Sequence, residues 1–240
     1  MSSDPRRGFV LARRPLGDHH LRVTLLLDDG SRLAVLAPSG QNSRERFSAG
    51  LSSLALYNLG ITRTSRGARL DSARVHRAWP RLLTELRRQS ASVAATGIAD
   101  ELSEPSPHDA GLFLLLGELY ETLARADSPP PAAVLVRFAL EALAHAGNGL
   151  ALDRCVRCDR PCPANSLVTV DPSSGGVVCQ PCGGGPYRLP ATDRSALRAL
   201  LAGELQLYRP GLVLVTAALI AGFAPRSSGV LTRTAGLLGE

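Results

Sequence analysis

Four cysteines stand in two matched pairs, Cys155-x2-Cys158 and Cys179-x2-Cys182, with 20 residues between the pairs. A Cys-x-x-Cys turn aims two thiolates at one point. Two such turns complete the tetrahedral sulfur shell that zinc prefers. Because all four positions are cysteine, no coordination position is left for water, so one structural zinc ion is expected rather than a catalytic one. Redox-active dithiols and an iron–sulfur cluster stay open as less favoured alternatives. Cys162 is an extra thiol, either a spare ligand or, as preferred here, simply a small side chain. Leu167 to Val170 and Gly176 to Val178 flank an Asp171-Pro172-Ser173-Ser174-Gly175 turn, a hairpin that sets the second pair beside the first. The expected module is a zinc ribbon over residues 152–189.

The second chemistry is charge. All 27 basic residues are arginine, so no phosphate-loop lysine or Schiff-base lysine is available. The net charge is +6, unevenly spread. Residues 1–88 carry 16 arginines against 7 acids, whereas residues 89–150 carry 2 against 8. A basic module followed by an acidic one suggests polyanion contact first; a merely solvated basic surface is the plain alternative. The arginines that form the cluster are Arg13, Arg14, Arg22, Arg32, Arg44, Arg46, Arg63, Arg66 and Arg69. Guanidinium groups grip phosphate bidentately and stack on bases. Aromatics are few in this module (Phe9, Phe47, Tyr57, Trp79), which points to backbone-dominated, sequence-tolerant binding. Taken singly, each arginine is more simply a solvated side chain; the cluster is the signal.

Catalytic constellations are missing: there is no Gly-x-Ser-x-Gly, no His-Glu-x-x-His and no phosphate loop. Asp18-His19-His20 reads as a surface loop, and His76, His108 and His145 have no partner pattern. Asp100, Glu101 and Glu104 read as a solvated face. The expectation is a non-enzymatic binding protein. The N-terminus, Met1 to Arg7, is polar, and all five cysteines fall between 155 and 182, which points to a reducing cytoplasm. The longest apolar run, Leu212 to Ala224, is 13 residues, short for a membrane span.

These groups need a scaffold. Leu21, Val23, Leu25 and Leu27 alternate with Arg22, Thr24 and Leu26, and Leu33, Val35 and Ala37 alternate again after Gly30. A two-residue Asp29-Gly30 loop would set Arg32 opposite Leu27 on the apolar face. A three-residue loop with Gly30 left-handed pairs Leu25 with Leu33 and Val23 with Val35, so it is preferred. With strands at Phe9, Ser53 to Ile61 and Ala68 to Ala78, and a polar loop from Pro38 to Gly50, an OB-type barrel is expected over residues 1–79. From Pro80 the period turns helical. Helices are expected over Pro80 to Leu102, after Asp109, from Pro129-Pro130-Pro131 with Gly147 at its end, at Thr192 to Leu201 with a Thr cap, and at Pro210 to Phe223. Pro225 to Glu240 is too rich in Ser, Gly and Thr to assign. The fold class is α+β multidomain: barrel, a helical domain of residues 80–151 with 190–240, and an inserted ribbon.

The chain resembles the RecO family of bacterial recombination mediators. The resemblance rests on Gly8-Phe9-Val10-Leu11-Ala12-Arg13-Arg14-Pro15-Leu16-Gly17-Asp18, on the following two strands, on Trp79-Pro80-Arg81-Leu82, and on Leu152-Asp153-Arg154-Cys155-Val156-Arg157-Cys158. It covers most of residues 8–223. It implies binding of single- and double-stranded DNA, annealing of complementary strands, and help in loading the RecA recombinase onto strands coated by single-stranded-DNA-binding protein (SSB). RecR and the SSB tail are the implied partners, the tail docking on the helical domain, and the implied location is the cytoplasm, at the nucleoid. One departure stands out. The family's basic Lys-Gly-Ala-Arg-like stretch after the third strand is replaced by Pro38 to Arg46, with Pro38 at the Lys position. That implies weaker DNA binding or a shift to Arg44 and Arg46. A zinc-ribbon RNA-binding or transcription-associated protein is the alternative reading of the residues.

Overall fold

The computed structural model describes residues 4–43, 45–65, 67–105, 109–163 and 165–239. Five strands, β1 (Asp4–Leu16), β2 (His20–Leu27), β3 (Arg32–Ala37), β4 (Ala55–Thr64) and β5 (Gly67–Ala78), close into a barrel of order β1-β2-β3-β5-β4. β3 meets β5 in parallel at Val35↔Ala68 and Leu36↔Arg69, and β4 closes antiparallel on β1. This is the strand order of an OB-type barrel. Val23, Leu25, Leu27, Val35, Tyr57, Leu59 and Leu70 alternate inward and form its core. Phe47, from the expected polar loop, folds back into that core with Leu51 and plugs it.

The β2–β3 hairpin takes the three-residue loop, pairing Leu25 with Leu33 and Val23 with Val35. Gly30 has φ +80°. A Cβ there would lie 2.0 Å from the Asp109 carbonyl oxygen. Glycine is therefore required twice, by the left-handed turn and by the close approach of the helical domain.

Leu26 corrects the simple alternation. It lies on the outward face yet is fully buried, because that stretch of barrel wall is covered by helices. Phe9, paired to Leu26, emerges beside it and packs on Trp79, Phe113 and Tyr120 with ring centroids 6.3, 5.0 and 5.5 Å away. The Tyr120 hydroxyl donates to the Ser53 carbonyl at 3.0 Å and meets the Thr96 hydroxyl at 2.6 Å, tying barrel to helices across a buried seam.

The helices are α1 (Arg81–Thr84), α2 (Leu86–Leu102), α3 (Gly111–Ala124), α4 (Pro131–His145), α5 (Ala191–Leu201), α6 (Leu212–Ile220) and α7 (Pro225–Leu238). The helix expected from Pro80 breaks at Glu85, whose φ of −120° and ψ of 112° are extended. Asp109 accepts a hydrogen bond from the Gly111 N–H at 2.9 Å at the start of α3. Thr192 lies inside α5 and caps nothing, contrary to the expected cap. α2 is central: Ala91, Ala94, Ala95 and Ala99 are buried and let α3, α4 and α7 approach closely. No described helix is long and apolar enough to cross a membrane.

Helix α7 occupies the stretch that local composition left unassigned. Its N-terminus is capped from far along the chain. The Glu101 carboxylate accepts from the Ser227 N–H at 2.7 Å, the Ser227 hydroxyl at 2.6 Å and the Arg226 N–H at 3.1 Å. Asp100 takes the Arg32 guanidinium at 2.8 Å. Thus Asp100 and Glu101 are structural, only 15% and 10% exposed, and not the solvated face their composition suggested.

Between α4 and α5 lies the cysteine module, with strands β6 (Val168–Asp171), β7 (Gly176–Val177) and β8 (Tyr187–Leu189) in the order β7-β6-β8. Its apolar face, Leu152, Val168, Val170, Val177 and Leu189, is continuous with the helical core. Asp171 caps the turn through Ser173 and Ser174.

Candidate metal centre and nucleic-acid interface

The β6–β7 hairpin brings the two Cys-x-x-Cys turns together. Backbone bonds lock them: Val156 N–H to the Val177 carbonyl and Cys182 N–H to the Cys179 carbonyl, both 2.9 Å. The four sulfurs of Cys155, Cys158, Cys179 and Cys182 all lie within 4.8 Å of one another, Cys158 and Cys179 being 3.6 Å apart. Metal–sulfur bonds of about 2.3 Å in a tetrahedron give sulfur–sulfur edges of about 3.8 Å. The group could therefore hold a metal ion.

The electrostatics agree. The Cys179 N–H points at the Cys155 sulfur at 3.4 Å and, with the N–H groups of Arg157 and Cys158, brings that thiol down to about 6 despite its burial. Cys182 is pushed up to about 12 by its contacts with the Cys179 and Cys158 sulfurs. Four crowded thiols cannot all ionise unless a cation compensates them. Cys162 stands outside the four-sulfur group, and burial pushes its thiol up.

The barrel's arginines separate into distinct environments. Register places Arg14 beside Arg22, Arg22 beside Leu36, and Leu36 beside Arg69, one exposed row across β1, β2, β3 and β5. Among the described residues neither Arg14 nor Arg22 has a carboxylate partner, while Arg69 is held by Asp71 at 2.7 Å. Arg13 faces the other way. It donates to the Gly50 carbonyl at 2.6 Å and lines a groove of about 700 Å³ with Gln41, Asn42 and Ser43. Arg63 is exposed at the end of β4. Arg46 is committed within its loop, donating to the Pro38 carbonyl at 2.6 Å and lying over Phe47. Arg32 is committed to Asp100 at the seam. Arg44 and Arg66 lie outside the described residues.

A second exposed row escaped the sequence reading: Arg7 beside Asn58, and Asn58 beside Arg74. Its members are far apart in sequence and meet only through strand register. Alternation could have put each on the outer face, but not on one row.

The family model described as "Recombination protein O C terminal" matches residues 83–209. Curated relatives match more of the chain. The DNA repair protein RecO of Anaeromyxobacter sp. (strain K) is 32% identical over 197 residues, covering 81% of this chain and 76% of the relative. That of Myxococcus xanthus (strain DK1622) is 31% identical over 217 residues, covering 85% and 84%. That of Frankia casuarinae is 30% identical over 198 residues, covering 80% and 78%.

Proposed function

The chain belongs to the RecO family of DNA repair proteins, and from that premise we propose that it is a non-catalytic recombination mediator whose barrel binds DNA through its exposed arginines. The observation that carries this reading is the row Arg14–Arg22. Like charges set directly opposite one another in a sheet cost stability. Neither is neutralised by a described carboxylate, so the row is suited to a polyanion. Arg69 ends that row beside Asp71, exposed Arg63 adds charge at the same barrel end, and Arg13, though donating to the Gly50 carbonyl, stays exposed in the adjoining groove. With Arg46 bound to Pro38 and Arg32 to Asp100, these two contribute structure, not phosphate contact.

The mechanism is charge neutralisation. Guanidinium groups displace counterions from a single strand, lowering the repulsion that keeps two complementary strands apart. Annealing follows from base pairing alone, with no bond made or broken by the protein. RecR and the acidic SSB tail are the proposed partners, the tail on the helical domain, with RecA loading as the outcome at the nucleoid in the cytoplasm.

Zinc is the proposed metal, held by Cys155, Cys158, Cys179 and Cys182. The all-thiolate donor set suits it, and it would neutralise the crowded sulfurs. Bound there, it supplies structure rather than chemistry. Cys155→Ser and Cys182→Ser are expected to yield poorly folded, zinc-free protein; zinc content unchanged by atomic spectroscopy would show the ligand set to be wrong.

The test of function is annealing of two complementary labelled oligonucleotides across a salt series, with and without SSB. The expected result is acceleration that fades steeply with salt. Binding to RNA as tight as to DNA, with no annealing and no RecR binding, would instead support the RNA-binding reading.

A further inference from the structure

Annealing needs two strands, and one basic row holds one. The row Arg7–Asn58–Arg74 lies on the same outer wall of the barrel as Arg14–Arg22–Leu36–Arg69 but is separated from it on both sides. On β1, Arg7 and Arg14 are about 23 Å apart at the usual strand rise. The wall between them is not open. Phe9 and Leu11 are buried there under the helical domain, 1% and 7% exposed. On β5, Asp71 sits between Arg69 and Arg74. Its carboxylate is 31% exposed, and it accepts from Arg69 Nε at 2.7 Å and from the Thr62 hydroxyl at 2.5 Å. A phosphate backbone crossing from one row to the other would meet either the helices or a carboxylate.

The second row is itself built for phosphate. Arg7, Asn58 and Arg74 are exposed neighbours on three hydrogen-bonded strands. Asn58 places a neutral amide donor between two cations, where a carboxylate would have cancelled them. Arg74 has no carboxylate partner among the described residues, and Arg7 has only a loose one, Asp28 at 3.6 Å, with its side chain 52% exposed.

We propose that Arg7, Asn58 and Arg74 form a second strand-binding track, which holds the phosphate backbone of a second DNA strand while the Arg14–Arg22 row holds the first. This rests on the mediator reading above and adds to it that a single chain grips two strands at once. The separation of the tracks then has a use. Two strands bound on one continuous patch would compete for the same cations, whereas two tracks bring them to one barrel at high effective concentration.

The test uses the full-length, metal-loaded protein and two non-complementary oligothymidylates, one carrying a fluorescence donor and the other an acceptor. Joint capture is read as energy transfer at protein equimolar with each strand, and affinity for one strand is read by anisotropy. Arg74→Ser alone and Arg7→Ser/Arg74→Ser together are compared with Arg14→Ser/Arg22→Ser, with thermal melting as the folding control. The single variant covers the case in which loss of Arg7 disturbs the Asp28 turn. The expected result is that Arg74→Ser and the Arg7/Arg74 pair keep first-strand affinity within about twofold but lose energy transfer and slow annealing by about tenfold or more. Undiminished energy transfer in these variants would overturn the second track, since the strands would then be held by two copies of one site. Equal loss of first-strand affinity in both variant pairs would also overturn it, because the rows would form one site. A wild-type protein that binds no single strand would overturn the mediator reading itself, and the second track with it.

Discussion

Arginines at the two ends of the barrel wall meet opposite fates. On the helical side, half-buried Arg32 meets Asp100 of α2, and Arg77, itself exposed, reaches Glu121 of α3 at 2.6 Å while lying over Trp79. At the open end Arg14 and Arg22 face each other with no described carboxylate within ion-pair distance. The residue type is the same; the difference is what the tertiary fold lays over it. Arginines within reach of a helix carboxylate tie barrel to helices, and those with none in reach leave their charge for a partner. Composition counted both kinds as one basic module.

The largest effect expected is at the acidic end of α2, the covered side. Glu101→Ala removes the cap of α7 and should cost about 3 kcal/mol, since several charge-assisted hydrogen bonds go at once. Chemical denaturation measures it. The pH dependence carries a sign. Burial works to raise the Glu101 carboxyl, but hydrogen bonds from the Ser227 hydroxyl and N–H and from Arg226 outweigh it and hold it below its ordinary 4.5. That stability is present above pH 4.5 and lost as pH falls through the lowered value. Glu101→Gln should flatten this acid limb; an unchanged limb would remove Glu101 from it.

Arg32→Ala leaves Asp100 largely buried and unpaired and should cost about 2 kcal/mol of stability, with affinity for a single strand unchanged. Arg14→Ser/Arg22→Ser should do the reverse. Binding should weaken by about tenfold, and the salt slope should fall by about 1.4, for two lost phosphate contacts. Its melting temperature should hold or rise, because a like-charged pair has been relieved. If Arg32→Ala weakened binding as much as the Arg14/Arg22 pair did, the division between paired and unpaired arginines would collapse.

The smallest effect is at Tyr120→Phe. It removes the hydroxyl that meets Thr96 and donates to the Ser53 carbonyl, leaving that carbonyl without this donor while Thr96 keeps its bond to the Ser92 carbonyl, and should cost about 1 kcal/mol. Measured in the Arg32→Ala background, a larger cost than the sum would show that the two seam contacts act as one unit.

Much of this was legible in the chain. Strand alternation in residues 21–37, with Gly30 after two aspartates, specified the hairpin register, because a slip would have turned Arg32 onto the apolar face. The cysteine spacing specified the four-sulfur group, because each knuckle is a local turn and the hairpin between them is short. Other features were not legible, because their causes lie far away in sequence. Leu26 reads as an outward position and is buried only because helices cover that wall. Helix α7 is poor in helix formers, and its cap is contributed by Glu101, 126 residues before Ser227.

The sequence by itself thus determined what short-range geometry enforces: the barrel's alternation and hairpin register, the paired cysteine knuckles, and the Pro-started α4. Only the tertiary structure decided which charges are spent on the fold and which are left over. Whether an arginine meets a carboxylate or water depends on what packs above it, and no local pattern around Arg14 or Arg32 carries that information.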